Sequence, residues 1–245
     1  MGDLDDLTRL PDDFDGQVRL FPLPSLVLFP HAMQPLHVFE PRYCEMLADA
    51  LQSDHLIAMA TLTGSGAPSK SDPTIAKTVC VGKIVSHVER EDERHNILLV
   101  GIKRAQVTAE IDAGRCFRIA KIDVLDDIYP PSGDTRRSEI RSDLLSAFGE
   151  VIPATASVQQ GLSELLAGSM GLGPITDIIS HTLPLAVSMK LRLLAEPNVD
   201  RRAKQLIQFL SSGAVKVESF EQEATQAGAN QDAPGRPFPP PFSVN

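Results

Sequence analysis

Six histidines (His31, His37, His55, His87, His95 and His181) and three cysteines (Cys44, Cys80 and Cys116) are the residues best suited to hold a metal or supply a nucleophile. Their spacing argues against both roles. No two histidines fall in the H-x-x-x-H pattern that sets two imidazoles on one helical face, and none stands beside a cysteine or an acidic pair at ligand spacing. The cysteines form no C-x-x-C pair, and an odd, dispersed set reads as buried or half-buried thiols. Gly64-Ser65-Gly66-Ala67-Pro68-Ser69-Lys70-Ser71 is the nearest approach to a phosphate-binding loop. Ser69 stands where that motif has glycine, Pro68 removes one backbone donor from the cradle, and Pro73 obstructs the helix that should follow. G-x-S-x-G is absent. Glu89, Glu91, Asp92 and Glu93 alternate with Arg90 and Arg94, which reads as a solvated hairpin rather than paired catalytic carboxylates. The expectation is no catalytic residue, no metal and no cofactor.

The elements that would position any site are legible in the patterning. Val18 to Pro24 is apolar but carries Pro22 and Pro24, which forbids helix and predicts extended chain at a sheet edge. Ser25 to Phe29 reads as a short strand ended by Pro30, and Gln34 to Phe39 as another extended piece. Pro41 is placed to open a helix through Leu51, with Tyr43, Met46 and Leu47 on one face. His55–Leu62, Val79–Val88, Ile97–Val100, Ile102–Ile111 and Cys116–Leu125 read as strands, with a Gly/Ser/Pro-rich loop over 63–74. Pro130-Pro131 and Gly133 mark a linker, after which the period changes. Ile140, Leu144, Leu145, Phe148 and Ile152 share a helical face, as do Val158, Leu162, Leu165, Leu166 and Met170. Pro174 predicts a helix start, Ser188 a helix cap, and Gly213 the end of a helix over 200–212. Strands followed by helices predict an α+β fold.

Composition sets the outer bounds. The chain has 245 residues, 42% hydrophobic and 22% charged, enough to bury a core, with 5% aromatics and no Trp. Its net charge of −9 is concentrated in the ends, through Asp3, Asp5, Asp6, Asp12, Asp13 and Asp15 and through Glu218, Glu221, Glu223 and Asp232. A nearly neutral body offers no basic track for phosphates, so nucleic acid is not an expected partner. An acidic N-terminus and the lack of an ~18-residue apolar run predict a cytoplasmic protein off the membrane. Residues 1–16 are expected as an acidic disordered leader and 214–245 as a disordered proline-rich tail.

One stretch is distinctive enough to carry a family resemblance. Residues 21–43, FPLPSLVLFPHAMQPLHVFEPRY, resemble the signature that opens the Lon protease N-terminal, substrate-binding domain; HLIAMATL, VCVGKIVSH, NILLVGIKRAQV and CFRIAKIDVLDD follow in the expected order. DIISHTLPL and NVDRRAKQLIQFL match more loosely, and the resemblance spans about 17–213. It implies a PUA-like β-barrel subdomain over 17–128 followed by a C-terminal helical bundle over 134–213, in a free-standing chain without ATPase or peptidase domains. Within the signature, Phe21, Leu23, Leu26, Leu28, Phe29, Leu36 and Phe39 are apolar enough for core, while Pro22, Pro24, Pro30, Pro35 and Pro41 fix backbone angles. Glu40 and Arg42 can pair across the bend, and with Tyr43 are expected to be structural. His31 departs from the family, which commonly has Gly after Phe-Pro at a left-handed turn.

The resemblance implies a non-catalytic module that captures unfolded or degron-bearing polypeptide, without ATP. Leu36, Val38 and Phe39, the loop containing Gly64 and Gly66, and the hairpin containing Asp92 and His95 are the candidate peptide-binding residues. The alternative is an adaptor that docks its ends onto a folded partner such as a protease or ligase complex, with self-association as a further expectation. RNA binding, by analogy with PUA-like folds, has little electrostatic support.

Overall fold

The computed structural model describes residues 9–63, 74–90, 92, 94–131, 136–151 and 170–213. The chain divides at Asp126/Asp127 into two compact units. The first holds β1 (Gln17–Leu23), β2 (Met33–Val38), α1 (Pro41–Leu51), β3 (Leu56–Thr61), β4 (Thr78–Glu89), β5 (His95–Ile111) and β6 (Ile119–Leu125). The second holds α2 (Arg137–Val151), α3 (Leu172–Thr182), α4 (Val187–Leu194) and α5 (Val199–Ser211). The whole is a mixed α+β protein with a six-stranded sheet.

Strand order is β2-β5-β4-β3-β1-β6, and β6 pairs again with β5, so five of the strands hydrogen-bond in a ring. The long β5 makes this possible: β4 covers one side, while β2 takes residues 95–100 of the other and β6 takes 104–111. The two expected strands Ile97–Val100 and Ile102–Ile111 are thus one. β1 runs parallel to β3 and antiparallel to β6. Every second residue faces inward, and Val18, Leu20, Leu56, Ala58, Ala60, Val79, Val81, Ala120 and Ile122 make one core with Ile102 and Ala105. Each Å² of apolar surface removed from water in this cluster stabilises the unit by ~25 cal/mol.

Four further sequence readings change in this unit. β1 is not an edge strand, because β6 covers it at residues 17–19. Ser25 to Phe29 forms no strand; Val27, Leu28 and Phe29 are buried by a loop whose Leu26 carbonyl accepts from Thr61 Oγ1 at 2.7 Å. Leu10 and Phe14, assigned to the leader, pack against the core, helped by a turn in which Phe14 N donates to the Pro11 carbonyl. Phe39 is 55% exposed and supplies no core. At His31 the left-handed turn is kept without glycine: φ is 65°, and its N–H donates to the Gly101 carbonyl at 2.8 Å. Gly101 is required there, since a Cβ would overlap the Phe29 carbonyl that crosses β5.

α1 begins at Pro41, where the missing N–H costs nothing, and buries Tyr43, Met46, Leu47 and Ala50. Arg19 ties it to β1 through Asp49 at 2.5 Å, and holds the turn that follows it through Asp54 at 2.7 Å. In the second unit, Ile140, Leu144, Leu145 and Phe148 of α2 are buried as their spacing predicts. α5 starts at Asn198, whose side chain accepts from Arg201 N, rather than at Asp200. Ser188 lies inside α4, which has no side-chain cap. At the centre, fully buried Arg202 meets Asp177 at 3.1 Å and Asp127 at 2.8 Å, and donates to the Glu196 carbonyl. The helical face over 158–169, the loop over 64–73 and the tail from 214 lie outside the described residues.

Candidate functional site

A recess in the first unit arises from a local failure of the sheet. Leu20 N–H donates to the Arg118 carbonyl, so even-numbered residues of β1 turn their backbone groups toward β6. Pro22 is the next residue of that parity. It has no N–H to give, and β6 pairs β1 only at residues 17–19. The strands part there. Tyr43 Oη donates to the Pro22 carbonyl at 3.4 Å, and the space between β1, α1 and the 110–118 segment is a pocket of about 360 Å³.

Its walls combine apolar and charged groups. Tyr43 is buried and packs against Phe21, with ring centroids 4.6 Å apart and the planes tilted by 53°, and Phe117, also buried, lines the same pocket. Burial pushes the Tyr43 hydroxyl above its ordinary range, only partly offset by Arg42, so it stays a donor at neutral pH. Arg42 lies 4.6 Å over the Tyr43 ring while bonding Glu40 at 2.8 Å, the pairing anticipated from sequence. Arg118 grips Glu110 through two bonds, and Arg115 lies 3.3 Å from Asp49 and 3.8 Å from Glu45. Each guanidinium on the rim therefore has a carboxylate partner. A rim so balanced has donors and acceptors for a polypeptide backbone but no excess charge for a phosphate.

Cys116 is the exposed thiol of this rim. Its Sγ lies 2.8 Å from Glu45 Oε2, and the hydrogen bond to that carboxylate pushes the thiol above its usual range. A catalytic cysteine needs the opposite, a cation that draws it to thiolate.

On the other side of Tyr43 lies a second, smaller recess of about 50 Å³. Leu36 and Val38 form its base, buried at 3% and 1% exposed, so they serve as core; of the three signature candidates, Phe39 presents surface. Phe21, Pro22, Phe29 and Pro30 are buried, Pro35 is half-buried in β2, and Pro24 and Pro41 are exposed. Asp92 sits exposed at the β4–β5 hairpin with φ 63°. Gly64 and Gly66 lie outside the described residues. His95 is brought to His87, with Nδ1 and Nε2 3.0 Å apart, a pair that helical spacing rules cannot detect. The rim residues Glu110, Asp112, Arg115 and Arg118 were not singled out by sequence either, and Cys116, expected as a buried or half-buried thiol, is exposed. Pro22 was the available signal, as a residue that cannot extend a ladder.

Fold and site define a mixed α+β protein whose strand-rich unit opens into an aromatic-floored, charge-balanced recess. The family model for the ATP-dependent protease La (LON) substrate-binding domain matches residues 17–212, and the chain belongs to that family. Lon protease of Aquifex aeolicus is 23% identical over 193 residues, covering 78% of this chain and 24% of that protein. Lon protease of Escherichia coli K12 is 24% identical over 200 residues, covering 80% and 25%. The chain thus spans about a quarter of the length of these curated relatives and matches their N-terminal part. The Lon N-terminal domain protein of Xanthomonas campestris superposes with a TM-score of 0.55 at 21% identity, covering 79% of this chain and 98% of that one. The N-terminal domain of Mycobacterium avium complex Lon protease gives 0.61 at 14%, covering 80% and 98%. Among the described residues, no helix is long and apolar enough to cross a membrane.

Proposed function

We propose that this chain is a non-catalytic polypeptide-binding module that captures unfolded or degron-bearing protein segments without ATP. The strand ring is read as a PUA-like barrel and the helical unit as a bundle. The observation that carries the functional reading is the recess where β6 leaves β1, with Phe39 lining the smaller recess that shares Tyr43 with it. An extended segment would lay its backbone along the charge-balanced rim and set apolar side chains against Tyr43, Phe117 and the exposed Phe39 ring. Membership in a substrate-binding family supports a protein substrate as the partner.

The test is fluorescence anisotropy with a permanently unfolded polypeptide and, in parallel, the same client in its native form. Binding of the unfolded form is expected with a Kd on the order of 10–100 µM, with no effect of ATP. Phe39→Ala is expected to weaken it roughly fivefold or more while leaving the fold intact, since the ring is exposed. Equal signals for unfolded and native client into the high micromolar range would overturn the reading.

A further inference from the structure

We propose that the β4–β5 hairpin carries a site for one divalent transition-metal ion of the zinc, nickel or copper class, chelated by the imidazoles of His87 and His95. In the antiparallel register, His87 lies across from Ile97 and Glu89 across from His95. Residues two apart on a strand share a face, so His87, Glu89 and His95 point to the same side, the two imidazoles as diagonal neighbours. His87 Nε2 and His95 Nδ1 converge to 3.0 Å, with ring centroids 5.2 Å apart. Two imidazoles bound to one ion at ~2.0–2.1 Å, with angles of about 90–110°, stand about 2.9–3.4 Å apart. The spacing already present is inside that range, so the backbone need not move.

The protonation chemistry agrees. In the hydrogen bond between the rings, one of the two facing nitrogens carries the proton and the other accepts it. Binding moves that proton to the other nitrogen of its own ring, leaving two neutral donors facing the ion. Glu89, on the same face and near enough for its charge to act on His87, offsets part of the cation's charge. Among the described residues no set of three His, Cys, Asp or Glu is gathered at ligand distance. The site therefore offers two protein ligands with water completing the shell, and binds more weakly than three- or four-ligand sites. Imidazole selects Zn²⁺, Ni²⁺ and Cu²⁺ over Mg²⁺ and Ca²⁺. This inference is independent of polypeptide binding.

The experiment is calorimetric titration of the tag-free full chain with Ni²⁺, Zn²⁺ and Mg²⁺, with thermal denaturation alongside. One saturable Ni²⁺ or Zn²⁺ site and a rise in Tm of several °C are expected, with no response to Mg²⁺. His87→Gln and His95→Gln should each weaken the site at least about tenfold, since groups that merely support a ligand are worth about 10–100-fold. His37→Gln should leave it unchanged. Cu²⁺ broadening of NMR signals, confined to the two imidazoles and adjoining hairpin, checks the same point without a variant. Binding that survives both substitutions, broadening centred elsewhere, or no saturable binding up to about 1 mM would overturn the proposal.

Discussion

Replacing Arg202 with Met is expected to destabilise the helical unit by about 3–5 kcal/mol. The guanidinium is fully buried and spans two carboxylates, Asp177 at 3.1 Å and Asp127 at 2.8 Å, besides the Glu196 carbonyl. Asp177 is itself fully buried, so removing Arg202 takes away a cation 3.1 Å from its carboxylate in a medium that solvates charge badly; Asp127, 19% exposed, can turn to water. Methionine fills most of the vacated volume, so the loss reports the electrostatics rather than a cavity. Urea denaturation followed at 222 nm reports chiefly on α2–α5. With m near 1–3 kcal/mol per M, the midpoint should fall by more than about 1 M. Adding Asp177→Leu to Arg202→Met removes the stranded charge and should recover most of the loss, because an apolar pair often matches a buried ion pair. A single variant within about 1 kcal/mol of the parent, or a double variant no better than the single, would refute this account.

Three further outcomes are expected. Gly173→Ala places a Cβ 2.5 Å from Asp127 Oδ2 and 2.5 Å from Tyr129 Oη, so urea titration should show a loss of about 1–3 kcal/mol. His31→Gly relieves a left-handed residue at φ 65° and should raise stability by about 1 kcal/mol in thermal denaturation, with the turn and its Gly101 hydrogen bond retained. His87, held below its ordinary range, binds its proton less readily in the fold than in the unfolded chain. Its contribution is therefore complete above pH ~6.5 and is lost as pH falls through the lowered folded value. A plot of midpoint against pH over 5–7.5 should flatten in His87→Gln, and an unchanged slope would remove His87 from the account.

The strands and helices were legible because each writes its own period. β2, α1, β3 and β4 fall where alternation, Pro41 and the apolar runs place them, and the apolar face of α2 is the buried one. What stayed hidden depends on partners distant in sequence. Nothing in Val18 to Pro24 says that β6 covers only its first residues, so neither β1's interior position nor the recess at Pro22 could be read there. Phe39 looks like core, and only the turn into α1 leaves it outside. Val27 to Phe29 are buried as their apolarity demands, yet in a loop, because burial and ladder formation are separate requirements. The His87–His95 pair depends on register, which the eight-residue spacing alone does not disclose.

The double pairing of β6 has a consequence for how the chain comes together. All seven of its residues pair with β5 on one side, and residues 119–121 pair with the first strand of the unit on the other, with Gln17 across from Lys121. During synthesis, everything up to residue 118 leaves the ribosome with part of two strand borders unsatisfied, and the last short strand closes both at once. Assembly must therefore wait on a contact between points a hundred residues apart, which makes it slow for its size. Ile119–Leu125 acts as a latch: a nascent chain stalled before it is a sticky, open sheet, and one released just after it is shut.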